Sequence, residues 1–191
     1  MKIKDLKIGT RLGLSFGTVL LLLMGVAAVG WWGVKAVTGT TVAMLRGDAQ
    51  IAENAALARA DILGLRRFEK DIFINIDNKE KVNEYYVKWD ESRAKAEQSI
   101  AELEKAASLP QDREAIKTVK DNLVLYVAGF NKVYGQVRSG KLTTAAAANK
   151  AVTEFKDATH QMENVCVELA QEGNRRMEMA EGVVVGKSRH T

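Results

Sequence analysis

The sequence predicts an all-α protein, an up-down-up-down antiparallel four-helix bundle that follows one N-terminal transmembrane helix. A long stretch without charge lies near the N-terminus, and beyond it apolar residues recur at alternating steps of three and four. The chain has one proline in 191 residues, and Ala, Glu, Lys, Leu and Val dominate its composition. Such a composition favours long helices over a sheet.

The first predicted element is the membrane span at residues 12–34, which reads LGLSFGTVLLLLMGVAAVGWWGV and contains no charged side chain. A helix of this length reaches about 34 Å, enough to cross the apolar core of a bilayer. Four basic residues and one acid, Asp5, precede it, and few charges follow closely. The positive-inside rule then places the N-terminus in the cytoplasm, and Trp31 and Trp32 suit the outer interface.

This arrangement predicts four regions. We expect a cytoplasmic N-terminus at 1–11, a transmembrane helix at 12–34, a periplasmic four-helix bundle at 35–182, and the truncated start of a second span or a tail at 183–191. The alternative for the first apolar stretch is a cleaved signal peptide. That stretch exceeds the usual apolar region of about 7–15 residues, and no A-x-A cleavage site follows it.

The predicted core positions of the bundle follow a repeat of about 3.5 residues, which is typical of helices that pack nearly parallel. The short connections between them make neighbouring helices antiparallel. The positions on the four helices are Met44, Asp48, Ile51, Ala55, Ala58, Ile62, Leu65, Glu69, Ile72 and Ile76; Val82, Tyr86, Trp89, Arg93, Ala96, Ile100, Leu103 and Ala107; Ile116, Val119, Leu123, Tyr126, Phe130, Val133 and Val137; and Ala148, Val152, Phe155, Thr159, Met162, Cys166 and Leu169.

Helix boundaries are predicted from capping residues. Asp77 with Glu80, and Ser108 with Gln111, have the spacing of a capping box, in which two side chains bond the first turn reciprocally. Pro110 ends the preceding helix. The third helix is expected to close at Ser139-Gly140, and Thr143 is expected to cap the fourth.

Several function classes find no support in the residues. The net charge is +4, and no helical face carries a continuous basic stripe, so we expect no nucleic-acid partner. Cys166 is the only cysteine, and His160 and His190 lack ligand spacing, so we expect no metal site and no cofactor. The chain also lacks an acid/base or nucleophile constellation, so we expect no catalytic residues and no enzyme activity.

Two segments resemble a known family. The opening KIKDLKIGTRLGLSFG, which runs into the span, resembles the N-terminus of methyl-accepting chemotaxis proteins, and RRFEKDIFINID at Arg66–Asp77 resembles the end of the first helix in their four-helix-bundle sensor domains. The GKLT between the third and fourth helices also fits. The resemblance covers the chain up to about Gly182.

The resemblance implies a ligand-sensing input domain in the bacterial inner membrane. Sensors of this family are homodimers that bind a small molecule between helices, and a piston-like shift of the fourth helix passes the signal to a second span. In the family, a HAMP module and a methylated cytoplasmic hairpin then regulate a histidine kinase with its adaptor. This sequence contains none of these downstream parts.

Four residues are predicted to bind a small carboxylate ligand. Arg93 interrupts the apolar positions of the second helix, where an unpaired guanidinium would be costly. Arg59 and Arg66 are seven residues apart and share a face of the first helix at a similar depth. Thr159 adds a hydroxyl on the fourth helix. Arginine binds a carboxylate through two parallel hydrogen bonds, and a hydroxyl can complete the shell.

Each of these residues also has an ordinary structural interpretation. Arg93 can pair with an acid such as Glu69, Arg59 and Arg66 can form a solvated face, and Thr159 can bond its own helix backbone.

Two other functions share the same pattern. The bundle can be the input domain of a membrane sensor kinase or cyclase, or a membrane-anchored helical dimerisation module that senses nothing.

Overall fold

The computed structural model describes the backbone of residues 8–188 and, within that range, every side chain except those of residues 8, 11, 36–45 and 181–188. Most of the predicted cytoplasmic segment 1–11 therefore lies outside the described residues, as do the side chain of the predicted core residue Met44 and those of the predicted second-span segment Gly182–Gly186. The chain forms two units, Met1–Met44 and Leu45–Thr191.

The first unit contains the beginning of α1, which runs from Ile8 to Ile74. Its segment Leu12–Lys35 has a mean hydropathy of 2.3, is not buried, and is long and apolar enough to cross a membrane. The Thr18 hydroxyl donates to the Leu14 carbonyl at 2.8 Å, so this polar group is satisfied within the helix itself.

The second unit contains the remainder of α1 and the other helices. After α1 come α2 (Lys79–Ala106), α3 (Pro110–Arg138), α4 (Ala145–Val152), a 3-10 turn (Thr153–Phe155) and α5 (Lys156–Ser188). The described part of the chain contains no strand. The predicted all-α bundle after an apolar N-terminal helix is confirmed.

The buried core residues lie at the positions that the repeat of about 3.5 residues predicts. Every predicted core position on α3 is buried, and the largest fully buried side chains of the unit are aromatic, led by Trp89 and Tyr126. Trp89 also stacks on Phe130 with ring centroids 4.3 Å apart. The predicted positions that are only partly buried are Asp48, Ile76, Tyr86, Arg93 and Phe155.

Two helices begin one residue later than predicted. Asn78, rather than Asp77, caps α2, and its side chain accepts from the Lys81 N–H at 3.0 Å. Thr144, rather than Thr143, caps α4, and its hydroxyl oxygen accepts from the N–H three residues on at 3.2 Å. Both predicted caps have a neighbour of similar chemistry, and the path of the chain through the turn decides between them.

The start of α3 also differs from the prediction. Leu109 occupies the cap position without a side-chain hydrogen bond, and Pro110 is the first helical residue. The prediction that Ser108 caps α3 is wrong. Proline favours the first helical position because its φ is already helical, so α3 begins at Pro110 and the residue before it, Leu109, takes the cap position. The predicted close at Ser139-Gly140 is confirmed, and Gly140 adopts the left-handed φ of 70° that favours glycine there.

The predicted fourth helix is divided. Its core positions lie partly on α4 and partly on α5, and the 3-10 turn Thr153–Phe155 separates the two. Neither proline nor glycine occurs at this break. No helix-breaking residue therefore causes this break. The repeat of apolar positions continues through it, so the sequence predicts one unbroken helix.

Candidate functional site

Arg93 is neutralised on its own helix. Its Nε donates to Asp90 Oδ1 at 2.8 Å and its Nη1 donates to Glu97 Oε1 at 2.7 Å. These two hydrogen bonds raise the pKa of Arg93 above its ordinary value, although partial burial opposes them. The alternative in which Arg93 pairs with an acid is confirmed, although the acids are Asp90 and Glu97 rather than Glu69.

Glu69 is fully buried and joins three helices. Its Oε2 accepts from the Tyr126 hydroxyl at 2.9 Å, and the Tyr126 oxygen in turn accepts from Trp89 Nε1 at 3.3 Å. Its Oε1 accepts no hydrogen bond of good geometry, but Lys70 Nζ lies 2.8 Å away and Arg66 Nη1 lies 3.5 Å away. The two cations balance a carboxylate that would otherwise be costly to bury.

This network keeps the Tyr126 hydroxyl protonated. Burial, and next the charge of Glu69, raise the pKa of Tyr126 well above 10.0. Tyr126 therefore acts as a stable hydrogen-bond donor in the core. The sequence shows Glu69 and Tyr126 on predicted core positions, but no sequence signal pairs two residues so far apart in the chain.

Arg59 and Thr159 lie in different environments. Arg59 is exposed, whereas Thr159 is fully buried. The Thr159 hydroxyl donates to the Lys156 carbonyl at 2.7 Å, which confirms that it bonds its own helix backbone. Arg59 lies close enough to Cys166 to lower that thiol's pKa slightly, but burial dominates and raises the pKa of Cys166 to about 12. The thiol is unreactive there.

No hydrogen bond or ion pair joins any two of Arg59, Arg66, Arg93 and Thr159, all four of which are among the described residues. Arg66 is the only one of these that contacts the core network, through Glu69. Carboxylate binding by these four residues stays a prediction.

A second buried ionic cluster was not predicted. Arg176 on α5 donates from Nε to Asp48 Oδ1 at 2.7 Å, and from its two terminal nitrogens to both Asp112 oxygens at 3.2 and 3.0 Å. The side chains of Arg176 and Asp112 are only 12% and 3% exposed. Burial alone lowers the pKa of Arg176, but the bonds and charges of Asp112 and Asp48 outweigh it and raise that pKa.

This cluster ties α5 to α1 and α3, and a close helix contact lies beside it. A Cβ added at Gly173 would come within 2.8 Å of the Asp48 carbonyl oxygen, so only glycine permits this approach. A guanidinium that forks both oxygens of one carboxylate has strict geometry. The cluster therefore fixes the position of α5 on its neighbours.

One face of α1 in the second unit leaves apolar side chains exposed. Leu63 is 41% exposed, and Ala56 and Ala60 on the same face are also exposed. Leu63 lies four residues after Arg59 and three before Arg66, so the three side chains share a face. Exposed apolar residues at this spacing are typical of a helix that packs against a further helix.

Grooves also occur elsewhere on the described surface, and two of them lie between elements of the bundle. An apolar groove of about 410 Å³ lies between α2 and α3 around Ala101 and Val124. A polar groove of about 520 Å³ lies where the turn after α1 meets the turn after α3, with Lys79 and Arg138 in its lining. None of the four predicted ligand-binding residues lines either groove.

The described residues contain no group of three or more His, Cys, Asp or Glu side chains placed to hold a metal ion. A family model described as "Four helix bundle sensory module for signal transduction" matches residues 5–176. The match therefore includes the apolar segment of α1 and almost all of the bundle. No curated protein and no solved structure matches the chain.

Proposed function

Because the chain belongs to the family of four-helix-bundle sensory modules for signal transduction, we propose that it is the ligand-sensing input domain of a bacterial chemoreceptor, and that it binds a small carboxylate at a homodimer interface. The observation that carries the proposal is the exposed face of α1, where Arg59 and Leu63 are exposed and Arg66 is partly so.

The residue types on this face support a dimer and an anionic ligand. A second copy that covers Ala60 and Leu63 buries apolar surface that one chain leaves in water. The same contact brings the Arg59 side chains of two copies into one partly dry gap, where a carboxylate forms charge-assisted hydrogen bonds. Two arginines without such a ligand would repel each other, so the ligand also stabilises the dimer.

The proposal rests mainly on the arginines of α1. Arg93 already binds two acids and Thr159 already binds a backbone carbonyl, so each would have to exchange a partner to bind a ligand. Arg66 balances the buried Glu69 and has a structural role in addition to any ligand contact. Arg59 is exposed, so its substitution tests ligand binding most directly.

The test is calorimetric titration of the solubilised chain with a panel of amino acids and organic acids. We expect one class of carboxylate to bind, and Arg59→Gln to weaken it about ten- to a hundredfold, since a lost charge-assisted hydrogen bond costs about 1.5–3 kcal/mol. The control is Arg138→Gln, because Arg138 is an exposed arginine in the last turn of α3 and not on this face of α1. A panel without any binding, on a folded protein, would rule out the carboxylate site.

The proposed arrangement in the membrane follows from charge and hydropathy. Residues 1–11 lie in the cytoplasm, 12–34 cross the inner membrane, 35–182 form the periplasmic sensor, and 183–191 form the start of a second span or a tail. Support comes from the apolar segment Leu12–Lys35 and from the basic residues before it.

Cysteine labelling in intact cells tests this arrangement, with Cys166 replaced by Ala. An impermeant thiol reagent should label Lys117→Cys, whose native side chain is 66% exposed, and should not label Lys4→Cys. The opposite labelling pattern would reverse the proposed topology.

A further inference from the structure

The break in the fourth helix of the bundle is held by tertiary contacts. At Thr153–Phe155 the hydrogen bonds change to the tighter 3-10 pattern: the Thr153 N–H donates to the Lys150 carbonyl, and the Lys156 N–H donates to the Thr153 carbonyl. A 3-10 turn in the middle of a helical path often marks a hinge. We call residues 153–155 the joint.

The Phe155 ring lies directly on the backbone of α3 at Gly129. A Cβ added at Gly129 would overlap the ring of Phe155, so no other residue type permits this contact without displacing the ring. Gly129 is buried, and Phe155 is partly buried against the core. A glycine inside a helix costs about 1 kcal/mol relative to alanine, and here it provides the space that the ring fills.

The segments on the two sides of the joint are tied to different partners. On α4, Asn149 accepts a hydrogen bond from Lys70 of α1 at 2.5 Å, and the Thr153 hydroxyl donates to the Asn149 carbonyl at 2.8 Å. On α5, Arg176 binds Asp48 and Asp112. These partners include two residues of α1, Lys70 and Asp48, so a change in the conformation of the joint has to be taken up at one of these two contacts.

The geometry of the two helix types sets the size of the movement. A 3-10 helix rises about 2.0 Å per residue with about 3.0 residues per turn, against about 1.5 Å and about 3.6 residues in an α-helix. Converting three residues from 3-10 to α shortens the path by about 1.5 Å and changes the rotation between its ends by about 60°.

We propose that Thr153–Phe155 is a two-state joint within the sensor. In the first state it is a 3-10 turn with Phe155 on Gly129. In the second, Phe155 withdraws and α4 continues into α5 as one α-helix, which shifts and rotates the two segments relative to each other. Its role in signalling rests on the proposed sensor function, but its existence does not, and the experiment below uses no ligand.

The test measures the distance between spin labels on the full chain in nanodiscs, with Cys166 replaced by Ala. One label pair, at Lys150 and Glu168, spans the joint, and a reference pair, at His160 and Glu178, has the same sequence spacing within α5; all four positions are exposed. Gly129→Ala should displace Phe155 and shorten the first distance by about 1.5 Å while leaving the second unchanged.

Gly135→Ala is the matched control, because Gly135 lies on the same helix and a Cβ there meets nothing within 4 Å. It should leave both distances unchanged. If Gly129→Ala fails to fold, Phe155→Ala decides, since it removes the ring without adding atoms to α3, and it should also shorten the first distance. A folded Gly129→Ala or Phe155→Ala variant whose label distances equal those of the Gly135→Ala control would overturn the proposal.

Discussion

At the residue scale, the second unit depends on charged side chains that are placed among core residues. Glu69 and Asp112 are buried with cationic partners, and the Arg176 side chain is nearly buried. Removing one member of such a group leaves the others as uncompensated charge, which costs more than the pair contributes. These residues therefore contribute little net stability. Their main effect is to select the one helix arrangement in which every buried charge has a partner.

Arg176→Met should lower the free energy of unfolding by about 3 kcal/mol, because it leaves the buried Asp112 and the partly buried Asp48 without their cation. The matched control is Arg175→Met, since Arg175 is 58% exposed and its partners, Glu172 and the Met179 sulfur, lie on its own helix. That variant should change stability by at most about 0.5 kcal/mol. Urea unfolding of both variants is the measurement, and equal losses would contradict the assigned role of Arg176.

Stability should fall as the pH rises above 9. Burial raises the pKa of Cys166 from 9.0 to about 12, and burial with the charge of Glu69 raises that of Tyr126 well above 10.0. Above these ordinary values the unfolded chain releases protons that the folded chain keeps, so the unfolded state is favoured, by up to about 1.4 kcal/mol per pH unit and group. The stabilising contribution is complete below the ordinary pKa and is lost toward the raised one.

Tyr126→Phe and Cys166→Ala identify the groups responsible. Each should flatten its own part of the pH dependence when urea unfolding is followed from about pH 8 to about pH 11. Both variants also change packing, so the slope with pH is the informative quantity and the absolute stability is not. An unchanged slope in both would exclude these two groups as its source.

At the element scale, turn geometry selects the capping residue from two similar neighbours. Thr143 and Thr144 are chemically identical, but only Thr144 precedes the first helical residue of α4 and accepts a bond from the helix N-terminus. The same holds for Asp77 and Asn78 at α2. The sequence therefore locates these two helix starts to within one residue.

Thr144→Ala should lower the free energy of unfolding by about 1 kcal/mol, because one N–H of the first turn of α4 loses its acceptor. Thr143→Ala is the control with the same chemical change, and it should have an effect of at most about 0.5 kcal/mol. Thermal unfolding of the two variants decides between them. A larger loss for Thr143→Ala would restore the cap predicted from the sequence.

At the scale of the whole molecule, the chain divides into an apolar helical segment and a unit with its own core. Among the described side chains, every buried core residue lies at or after Ile51, within the unit Leu45–Thr191. The segment Leu12–Lys35 contributes none of this core. The second unit therefore has the buried apolar surface that a domain needs to fold by itself.

A fragment of residues 45–188 should be soluble, helical and cooperatively unfolded by urea, and only weakly dimeric without ligand, because the membrane segment no longer raises the local concentration of a second copy. Circular dichroism and analytical ultracentrifugation are the measurements. The full chain in detergent is the comparison. An aggregated or unfolded fragment would show that the first unit is needed for folding, and a tight dimer would remove the proposed role of the ligand in assembly.

The sequence by itself determined the fold class, the four-helix pattern, the apolar segment and nearly all core positions, since these depend on local periodicity and hydropathy. It also identified the family, because the N-terminal and Arg66–Asp77 segments carry the resemblance, and the match over residues 5–176 confirmed it. Every predicted core position on α3, for example, is buried. Such features require no knowledge of which helix lies next to which.

Only the tertiary structure decided the partners of the charged residues and the break in the fourth helix. Arg176 has the sequence environment of a surface arginine, and its partners Asp48 and Asp112 lie far from it along the chain. The break at Thr153–Phe155 contains no proline or glycine, and its Phe155 ring packs on a glycine of α3. Both are contacts between segments distant in sequence, so no local pattern can contain them. They form only when the helices pack around a common core.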